Sequence, residues 1–247
     1  MKVDTPHPIM ITTKNIRKSF GSTQALKGIS FEIQKGEIVG FLGRNGAGKT
    51  TLMRILTSYL PATSGHVTID GKDIARDSLS ARRKIGYLPE TPPLYPSMTV
   101  KDYVTFAARL KDVPAKNIRK QVEKVLDECY LRNVADKTIA VLSKGYQQRA
   151  GIAQAIINDP AILILDEPTN GLDPVQIRRM RSLIQNLERE RTVIISTHIL
   201  SEIEQIARRV LIIKEGMIVA DDAIGNLLRD EHGAACSLED VFLRINA

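Results

Sequence analysis

The chain contains the stretch Gly43-Arg44-Asn45-Gly46-Ala47-Gly48-Lys49-Thr50-Thr51, which follows the pattern G-x-x-x-x-G-K-T. Residues 38–42, just before it, form a short apolar run with β character, and a helical pattern begins at residues 52–56. A strand, a glycine-rich turn and a helix N-terminus in this order make a loop that wraps around phosphate groups. We therefore predict a phosphate-binding loop, or P-loop, over residues 43–51.

The residue types of the P-loop suit this chemistry. Its glycines allow the backbone to turn tightly around an anion and to point successive N–H groups at it. The helix that follows adds unpaired N–H groups and a positive dipole end. We expect Lys49 to contact the β- and γ-phosphates of a nucleotide and the Thr50 hydroxyl to ligate Mg²⁺. A glycine-rich turn that only caps a helix is the alternative, and both flanks disfavour it.

Length and composition limit the class of protein. The chain has 247 residues, of which 43% are hydrophobic and 26% charged, as in a soluble globular protein with a substantial core. No stretch approaches the roughly 18–20 apolar residues that span a bilayer, and residues 1–8 lack the apolar segment of a signal peptide. Cys129 and Cys236 have no metal-ligand or CxxC spacing, so we expect free thiols in a reducing cytoplasm.

The net charge of +7 is compatible with a solvated basic surface, a position near an anionic membrane, or nucleic-acid binding. The basic residues are dispersed, with local clusters at 82–84 and 178–181. Aromatic residues make up only 4% of the chain, too few for the stacking platform that binds single-stranded nucleic acid. We therefore expect no nucleic-acid partner.

The order of the apolar segments predicts an α/β core. Residues 161–165 and 192–196 are continuous apolar runs, as expected of parallel strands that are buried on both faces. Helical periodicity dominates from residue 100 to about residue 133, which predicts a helical lobe inserted into the core. The last residues, from about 222 to 247, are expected to form a small helical appendage.

Two adjacent acids, Asp166 and Glu167, follow the apolar run that ends at residue 165. The carboxyl ends of parallel strands are where α/β sheets bind ligands. We expect Asp166 to coordinate Mg²⁺ through water and Glu167 to orient and polarise an attacking water, because phosphoryl transfer depends on positioning more than on covalent chemistry. An acid pair at a strand end can also cap a helix, but the P-loop upstream favours the catalytic interpretation.

Two further motifs each allow two interpretations. His198 follows the strand-like run 192–196 and is either a surface histidine or a hydrogen-bond donor to the γ-phosphate. Ser143-Lys144-Gly145 precedes a helix and is either an ordinary N-cap or a second anion site built on a helix N-terminus.

These motifs, taken in chain order, resemble those of the nucleotide-binding subunit of an ATP-binding cassette (ABC) transporter over nearly the whole chain. The P-loop matches the family's Walker A loop, and residues 162–167 match Walker B with its catalytic glutamate. Residues 142–149 match the signature, usually LSGGQ followed by QR, and residues 170–173 match the D-loop. The resemblance identifies His198 as the switch histidine and Phe20 as the aromatic residue that stacks on adenine.

The resemblance implies an α/β fold: a P-loop NTPase core with a mostly parallel sheet, an N-terminal antiparallel β subdomain and an inserted α-helical subdomain. Residues 1–247 are then one ABC ATPase domain. Residues 1–89 and 151–221 form the RecA-like core plus the antiparallel β subdomain. Residues 90–150 form the helical subdomain, and residues 222–247 form a C-terminal appendage.

The resemblance also implies a head-to-tail dimer, expected to be a homodimer, with ATP and Mg²⁺ clamped between the P-loop of one subunit and the signature of the other. The implied catalytic residues are Glu167, His198 and Lys49, and the implied metal ligands are Thr50, Asp166 and Glu90. The implied nucleotide contacts are Phe20, Gly43, Arg44, Asn45, Gly46, Ala47, Gly48, Lys49, Thr50, Thr51, Glu90, Ser143, Lys144, Gly145 and Asp173.

The chain departs from the family pattern at two motifs. In the signature, Lys144 replaces a glycine and Tyr146 a glutamine, whereas Ser143 and Gly145 are retained. Glu90 stands where the Q-loop glutamine is usual. A carboxylate there can bind Mg²⁺ more strongly than an amide, and it adds negative charge near the γ-phosphate. Both variants, and the terminal residues 237–242, resemble the subfamily that serves ABC-2 type exporters.

The resemblance therefore implies an ATPase subunit that powers export by a separate membrane-spanning permease, of ABC-2 type, at the cytoplasmic face of the cell membrane. Contact with the permease is expected near residues 90–105. Two alternatives stand beside it. A soluble ABC ATPase acting on DNA or ribosomes would carry a long coiled-coil insertion or two cassettes, which this sequence lacks. An importer subunit is the other, and Glu90 and Lys144 weigh against it.

Overall fold

The computed structural model describes residues 7–188, 191–229 and 236–246, whose strands form two sheets. The N-terminal residues 1–6, and residues 230–235 and 247 of the expected appendage, lie outside the described residues. The strands are β1 (Ile9–Phe20), β2 (Thr23–Gln34), β3 (Ile38–Leu42), β4 (Ser64–Ile69), β5 (Lys72–Asp73), β6 (Ile85–Leu88), β7 (Ile162–Asp166), β8 (Thr192–Thr197), β9 (Arg209–Lys214) and β10 (Met217–Ala223). The α-helices are α1 (Lys49–Leu56), α2 (Ser78–Arg83), α3 (Val100–Leu110), α4 (Ala115–Glu128), α5 (Lys144–Ile156), α6 (Pro174–Glu188), α7 (Leu200–Ile206), α8 (Ile224–Leu227) and α9 (Leu238–Asn246).

The larger sheet has six strands in the order β10-β9-β3-β8-β7-β6. Neighbouring strands from β9 to β6 run parallel, and β10 pairs with β9 in antiparallel fashion at the edge. β8 lies between β3 and β7, so that Leu42 is opposite Thr197 and Asp166 is opposite Ser196. The carboxyl ends of β3, β7 and β8 therefore meet at one edge of the sheet, where the P-loop, the acid pair and the histidine follow them.

Both faces of this sheet are covered, as the continuous apolar runs predict. Along β7, Leu163 and Leu165 pack into one core with the helices, and Ile162 and Ile164 pack into a second core on the opposite face. This alternation follows from the two-residue period of a strand. Because neither face meets water, the strand carries no polar residue before Asp166 at its end.

The smaller sheet is antiparallel, with the order β2-β1-β4-β5. Its apolar side shares the second core with α1, through Leu52, Met53, Ile55 and Leu56. The structure thus confirms the expected α/β fold, with a mostly parallel sheet and an N-terminal antiparallel β unit beside it.

The inserted helical part consists of α3, α4 and the start of α5. The sequence predicts helical periodicity over residues 100–133, and the structure breaks it into two helices at residues 111–114. Asp112 there has a left-handed φ of 57°, and Pro114 precedes α4. The assignment of residues 90–150 to a separate subdomain stays a prediction, and α5 continues across the boundary placed at residues 150 and 151. Within the described ranges, no helix has both the length and the apolar character needed to cross a bilayer.

Candidate nucleotide-binding site

The P-loop borders a cavity of about 350 Å³ at the carboxyl edge of the six-stranded sheet. Gly46 and Gly48 have φ values of 81° and 110°, a backbone conformation that favours glycine. A Cβ on Gly48 would also lie 2.9 Å from the carbonyl oxygen of Ala25, so space excludes a side chain there. The cavity is lined by Ala25, Asn45, Gly46, Gly48, Lys49, Thr50, Thr51, Glu90, Glu167, Asn170 and His198.

Lys49 brings a buried positive charge to this cavity. Its side chain is almost fully buried, and its Nζ donates a hydrogen bond of 2.7 Å to the carbonyl oxygen of Gly43. Burial lowers the pKa of Lys49, and the nearby carboxylates of Glu167, Asp166 and Glu90 oppose that shift. The cation is thus held at the start of α1, where the unpaired N–H groups of the helix also favour an anion.

Asp166 is buried at the end of β7, and only one of its two carboxylate oxygens accepts hydrogen bonds from the described residues. Its Oδ1 accepts hydrogen bonds from Thr50 Oγ1, at 3.4 Å, and from Ser196 Oγ. Its Oδ2 is buried and has no hydrogen-bond partner among the residues that the structure describes. Burial raises the pKa of Asp166, while the Ser196 and Thr50 hydroxyls lower it. A buried acceptor without a partner points to a ligand that completes it.

This arrangement fits Mg²⁺, which is bound in proteins by one or two carboxylates together with water and substrate phosphates. Asp166 and Thr50 supply the oxygen ligands that Mg²⁺ prefers. Across residues 7–188, 191–229 and 236–246, no group of three or more His, Cys, Asp or Glu side chains is arranged to hold a metal ion by itself. Phosphate oxygens and water would therefore supply the remaining ligands.

Glu167 lies between two cationic or ionisable side chains. Its Oε2 is 2.9 Å from Nδ1 of His198, and its Oε1 is 4.0 Å from Nζ of Lys49. Its backbone N–H donates a hydrogen bond of 2.9 Å to the carbonyl oxygen of Ser196. Its φ is 50°, a left-handed value that costs a residue with a side chain about 1–3 kcal/mol. The carboxylate is therefore held in place from both sides.

Glu90 reaches the same cavity from the loop after β6. Its Oε1 accepts a hydrogen bond of 3.1 Å from Asn170 Nδ2, and both residues line the cavity. The Q-loop and the first D-loop residue are thus joined across the mouth of the site. Asn170, Ala25 and Ser196 were not predicted from the sequence as site residues. Asn170 could have been found from the D-loop match, whereas Ala25 and Ser196 carry no such signal.

Several predicted contacts do not line this cavity in the described chain. Ser143 begins α5 with an exposed side chain that makes no capping hydrogen bond within the described residues, and the end of the Lys144 side chain packs against Gly171. Asp173 instead caps α6, since its Oδ1 accepts 2.9 Å hydrogen bonds from the backbone of Val175 and Gln176. The remaining predicted contacts outside the lining are Phe20, half-exposed at the end of β1, and Gly43, Arg44, Ala47 and Gly145.

A second concavity, of about 660 Å³, opens beside the helical part and is called the basic groove here. Three of the large side chains that line it, those of Tyr59, Leu79 and Leu110, are largely exposed. Lys111 lies at its wall, where its Nζ donates a hydrogen bond of 2.9 Å to the carbonyl of Ala155 and burial lowers its pKa to about 8. The other cationic side chains that line it are Arg54, Arg82 and Arg83.

Comparison with known proteins gives one family. The family model described as ABC transporter matches residues 26–170. The chain is 40% identical over 214 residues to the bacitracin transport ATP-binding protein BcrA of Bacillus licheniformis, covering 86% of this chain and 69% of that protein. It is 37% identical over 234 residues to the lantibiotic transport ATP-binding protein SrtF of Streptococcus pyogenes, covering 94% of this chain and 96% of that protein.

Solved structures agree with the family match. A structure of the ATP-binding subunit of an ABC transporter superposes with a TM-score of 0.86 and 26% identity, covering 96% of this chain and all (100%) of that chain. A dimeric ATP-binding cassette in a post-hydrolysis state, bound to ADP and Pi, superposes with a TM-score of 0.78 and 28% identity, covering 87% of this chain and 99% of that chain.

Proposed function

The chain belongs to the ABC transporter family, and on this basis we propose that it is the ATP-hydrolysing subunit of an exporter with a separate permease. It binds and hydrolyses ATP and powers transport through nucleotide-dependent dimerisation. The observation that carries its ATPase function is the placement of Glu167 between Lys49 and His198 at the P-loop cavity. Export is proposed because the relatives named for bacitracin and lantibiotic transport are similar over most of this chain.

We assign the chemical roles as follows. Lys49 and the N–H groups of the P-loop bind the phosphates, and Glu167 orients the attacking water toward the γ-phosphate. In its imidazolium form, His198 donates from Nδ1 to the Glu167 carboxylate and from Nε2 to the γ-phosphate or the water beside it. Thr50 and Asp166 would hold Mg²⁺, which would neutralise negative charge on the phosphates. Glu90 lies close enough to the same cavity to join them.

A second copy of the chain completes the site. Ser143 and Gly145 are outside the P-loop cavity of their own chain, yet the helix N-terminus that Ser143 begins is left without a side-chain cap in the described residues. Such a terminus is suited to a phosphate group. In the proposed head-to-tail dimer, this terminus and Lys144 face the γ-phosphate of the ATP that the other copy's P-loop holds, and Phe20 stacks on the adenine.

The basic groove is the proposed contact with the permease. Exposed Tyr59 and Leu79 beside Arg54 and Arg82 suit a partner helix that carries apolar and acidic residues. Arg83 in the same lining is already paired with Asp112. Of the range 90–105 expected from the sequence, Thr91 and Pro93 line this groove. A permease bound there would place the chain at the cytoplasmic face of the membrane. Lys144 and Tyr146 in the signature, and Glu90 in the Q-loop, favour an ABC-2 type partner.

Purification of the native complex in detergent tests this proposal. The complex is expected to contain an integral membrane chain, and Arg82→Glu, in the basic groove, is expected to reduce its recovery while the isolated chain keeps its ATPase activity. Arg76→Glu is the matched control, because Arg76 is exposed and lies outside the groove lining. Recovery of ribosomes or DNA with no integral membrane chain would overturn the proposal.

A further inference from the structure

Two contacts join the same two segments behind the nucleotide site. The segment after β7 runs from Glu167 to Asp173, and the segment after β8 runs from His198 through α7. The first contact is the 2.9 Å pair between Glu167 and His198. The second is buried: the Thr169 hydroxyl donates a hydrogen bond to Oε2 of Glu202. Glu202 does not line the P-loop cavity in the described chain, although the charges of Glu167 and His198 influence its pKa.

Stability alone does not account for a carboxyl at position 202. Thr169 and Glu202 are only 2% and 4% exposed, and Glu202 shares α7 with the buried apolar residues Ile203 and Ile206. The Oε1 of Glu202 has no hydrogen-bond partner among the described residues. Burial raises the pKa of this carboxyl, which the Thr169 hydroxyl and Arg181 partly offset. An apolar side chain would avoid the cost of burying this group. The presence of a carboxyl therefore indicates that its hydrogen bond has a specific structural role.

The hydrogen bond from Thr169 to Glu202 holds a turn that includes the catalytic candidate Glu167. The N–H of Asn170 donates to the carbonyl of Glu167, and the N–H of Leu172 donates to the carbonyl of Thr169, both at 3.1 Å. The turn begins with Glu167 at a left-handed φ of 50° and includes Gly171 at 70°. Because Thr169 is the side chain of this turn that bonds to α7, its hydrogen bond fixes the turn against the helix that follows His198.

We propose that Glu202 is a positioning residue for ATP hydrolysis: through Thr169 it fixes the turn 167–173 and so holds the Glu167 carboxylate against the water-binding position. This inference rests on the proposed ATPase function and on the role assigned there to Glu167. The inference predicts that catalysis and nucleotide binding respond differently to the loss of this contact. Loss of the Thr169–Glu202 contact lowers the rate of the chemical step and leaves nucleotide binding to the P-loop intact, because neither side chain touches the cavity.

The test compares Thr169→Val, Thr169→Ser, Glu202→Ala and the Thr169→Val/Glu202→Ala double variant with the wild-type chain. Valine keeps the shape of threonine without its hydroxyl, and serine keeps the hydroxyl. Ser201→Ala is the matched control, since Ser201 lies on α7 with an exposed side chain. The measurements are kcat and KM for ATP, the affinity for a non-hydrolysable ATP analogue, and backbone hydrogen exchange at Asn170 and Leu172.

Thr169→Val and Glu202→Ala are each expected to lower kcat by about 10-fold or more, because small misplacements of a catalytic group are costly. Analogue affinity and KM are expected to stay within about two-fold of wild type. Thr169→Ser is expected to retain most of the wild-type kcat, because serine keeps the hydroxyl. The double variant is expected to be no slower than the slower single variant, as for two residues that act as a unit. Exchange at Asn170 and Leu172 rises in the valine and alanine variants and not in Ser201→Ala.

Unchanged kcat and unchanged exchange in a folded Thr169→Val variant would overturn the inference, as would equal losses in Thr169→Ser. Should Glu202→Ala fail to fold, Thr169→Val alone carries the test. Hydrogen exchange also separates this inference from the function it rests on. A wild-type chain that does not hydrolyse ATP would contradict the proposed function, while the exchange rates would still decide whether Glu202 fixes the turn.

Discussion

The carboxylate of Glu167 lies 2.9 Å from the imidazole Nδ1 of His198, although the two residues are 31 positions apart in the chain. The contact exists because β7 and β8 are adjacent parallel strands, with Asp166 opposite Ser196, so that their next residues emerge at the same edge. Lys49 approaches the other carboxylate oxygen from α1. Three segments thus converge on one carboxylate, which makes Glu167 the residue whose removal is most informative.

Glu167→Gln is expected to lower kcat by about 100- to 10,000-fold, the range over which positioned general bases contribute. The amide keeps the size of the side chain and loses the negative charge that polarises water. ATP binding is expected to persist, and the ATP-bound dimer to accumulate, because hydrolysis no longer reopens it. Phosphate release and light scattering with ATP measure the two effects. Near-normal turnover would show that another group orients the water.

Lys49→Ala is expected to weaken ATP binding by about 10- to 100-fold, since hydrogen bonds to charged groups contribute about 1.5–3 kcal/mol. The alanine removes the cation that the P-loop holds at Gly43. Titration calorimetry with ATP measures the affinity. Lys35→Ala serves as the control, because Lys35 is exposed in the turn before β3. Equal affinities of the two variants would contradict the phosphate-binding role of Lys49.

Mixing two inactive variants tests the composite site. Ser143→Ala and Lys49→Ala homodimers each lack one half of both sites. A mixed dimer has one site with both defects and one site with the intact Lys49 of one chain and the intact Ser143 of the other. ATPase activity is therefore expected to return when the two variants are mixed. Absence of recovery in mixtures shown to contain mixed dimers would mean that each chain completes its own site.

Asp166→Asn is expected to stabilise the nucleotide-free protein at neutral pH, because the amide removes a buried negative charge. Burial raises the pKa of the Asp166 carboxyl, so the folded state binds more protons than the unfolded state between the usual pKa and the raised one. Stability therefore falls as pH rises through that interval. Above that interval, the wild type carries a buried charge that the variant lacks. Below the usual pKa of aspartate both side chains are neutral, so the charge no longer contributes to the difference in stability between the two proteins. Denaturant titrations at several pH values measure it.

The same substitution is expected to raise the Mg²⁺ concentration needed for half-maximal hydrolysis, by about 10-fold or more, as loss of a metal-site group does elsewhere. Asp136→Asn, at an exposed position, controls for the loss of one negative charge. If the variant matched the wild type in its Mg²⁺ dependence, Asp166 would not be a ligand. A gain in stability together with a loss of activity is the trade-off expected of a buried functional charge.

The sequence predicts the parts of this site that depend on spacing along the chain. The P-loop is recognisable because glycine, lysine and threonine must follow one another between a strand and a helix, and Asp166-Glu167 because two acids end an apolar run. The register of β7 against β8 cannot be read from either strand alone, since both are buried at every position and the paired residues between their ends are apolar. The approach of Ser196 to Asp166, and of Glu202 to Thr169, follows from that register and needed the structure.

Two local features were not predicted, and both have identifiable causes. Helix α2 has only 6 residues, and its start depends on Asp77 accepting a hydrogen bond from the N–H of Ser80. The helical character over residues 100–133 is confirmed, but the break at residues 111–114 was not predicted, although Pro114 disfavours helix at the residue before it. The separation of Ser143 from the P-loop within one chain is a different matter, because in the proposed dimer Ser143 contacts the nucleotide of the other copy.

Helix α5 connects the signature residue Ser143 to the basic groove. It begins at Ser143, and near its other end Gln154 lines the basic groove and donates a hydrogen bond of 2.9 Å to the carbonyl of Tyr87. With 13 residues, it forms a rod of about 20 Å at about 1.5 Å per residue. In the proposed dimer, a phosphate group that contacts one end of this rod would shift the wall of the groove at the other end. The stiffness of α5 would then set how much of that movement reaches the proposed permease.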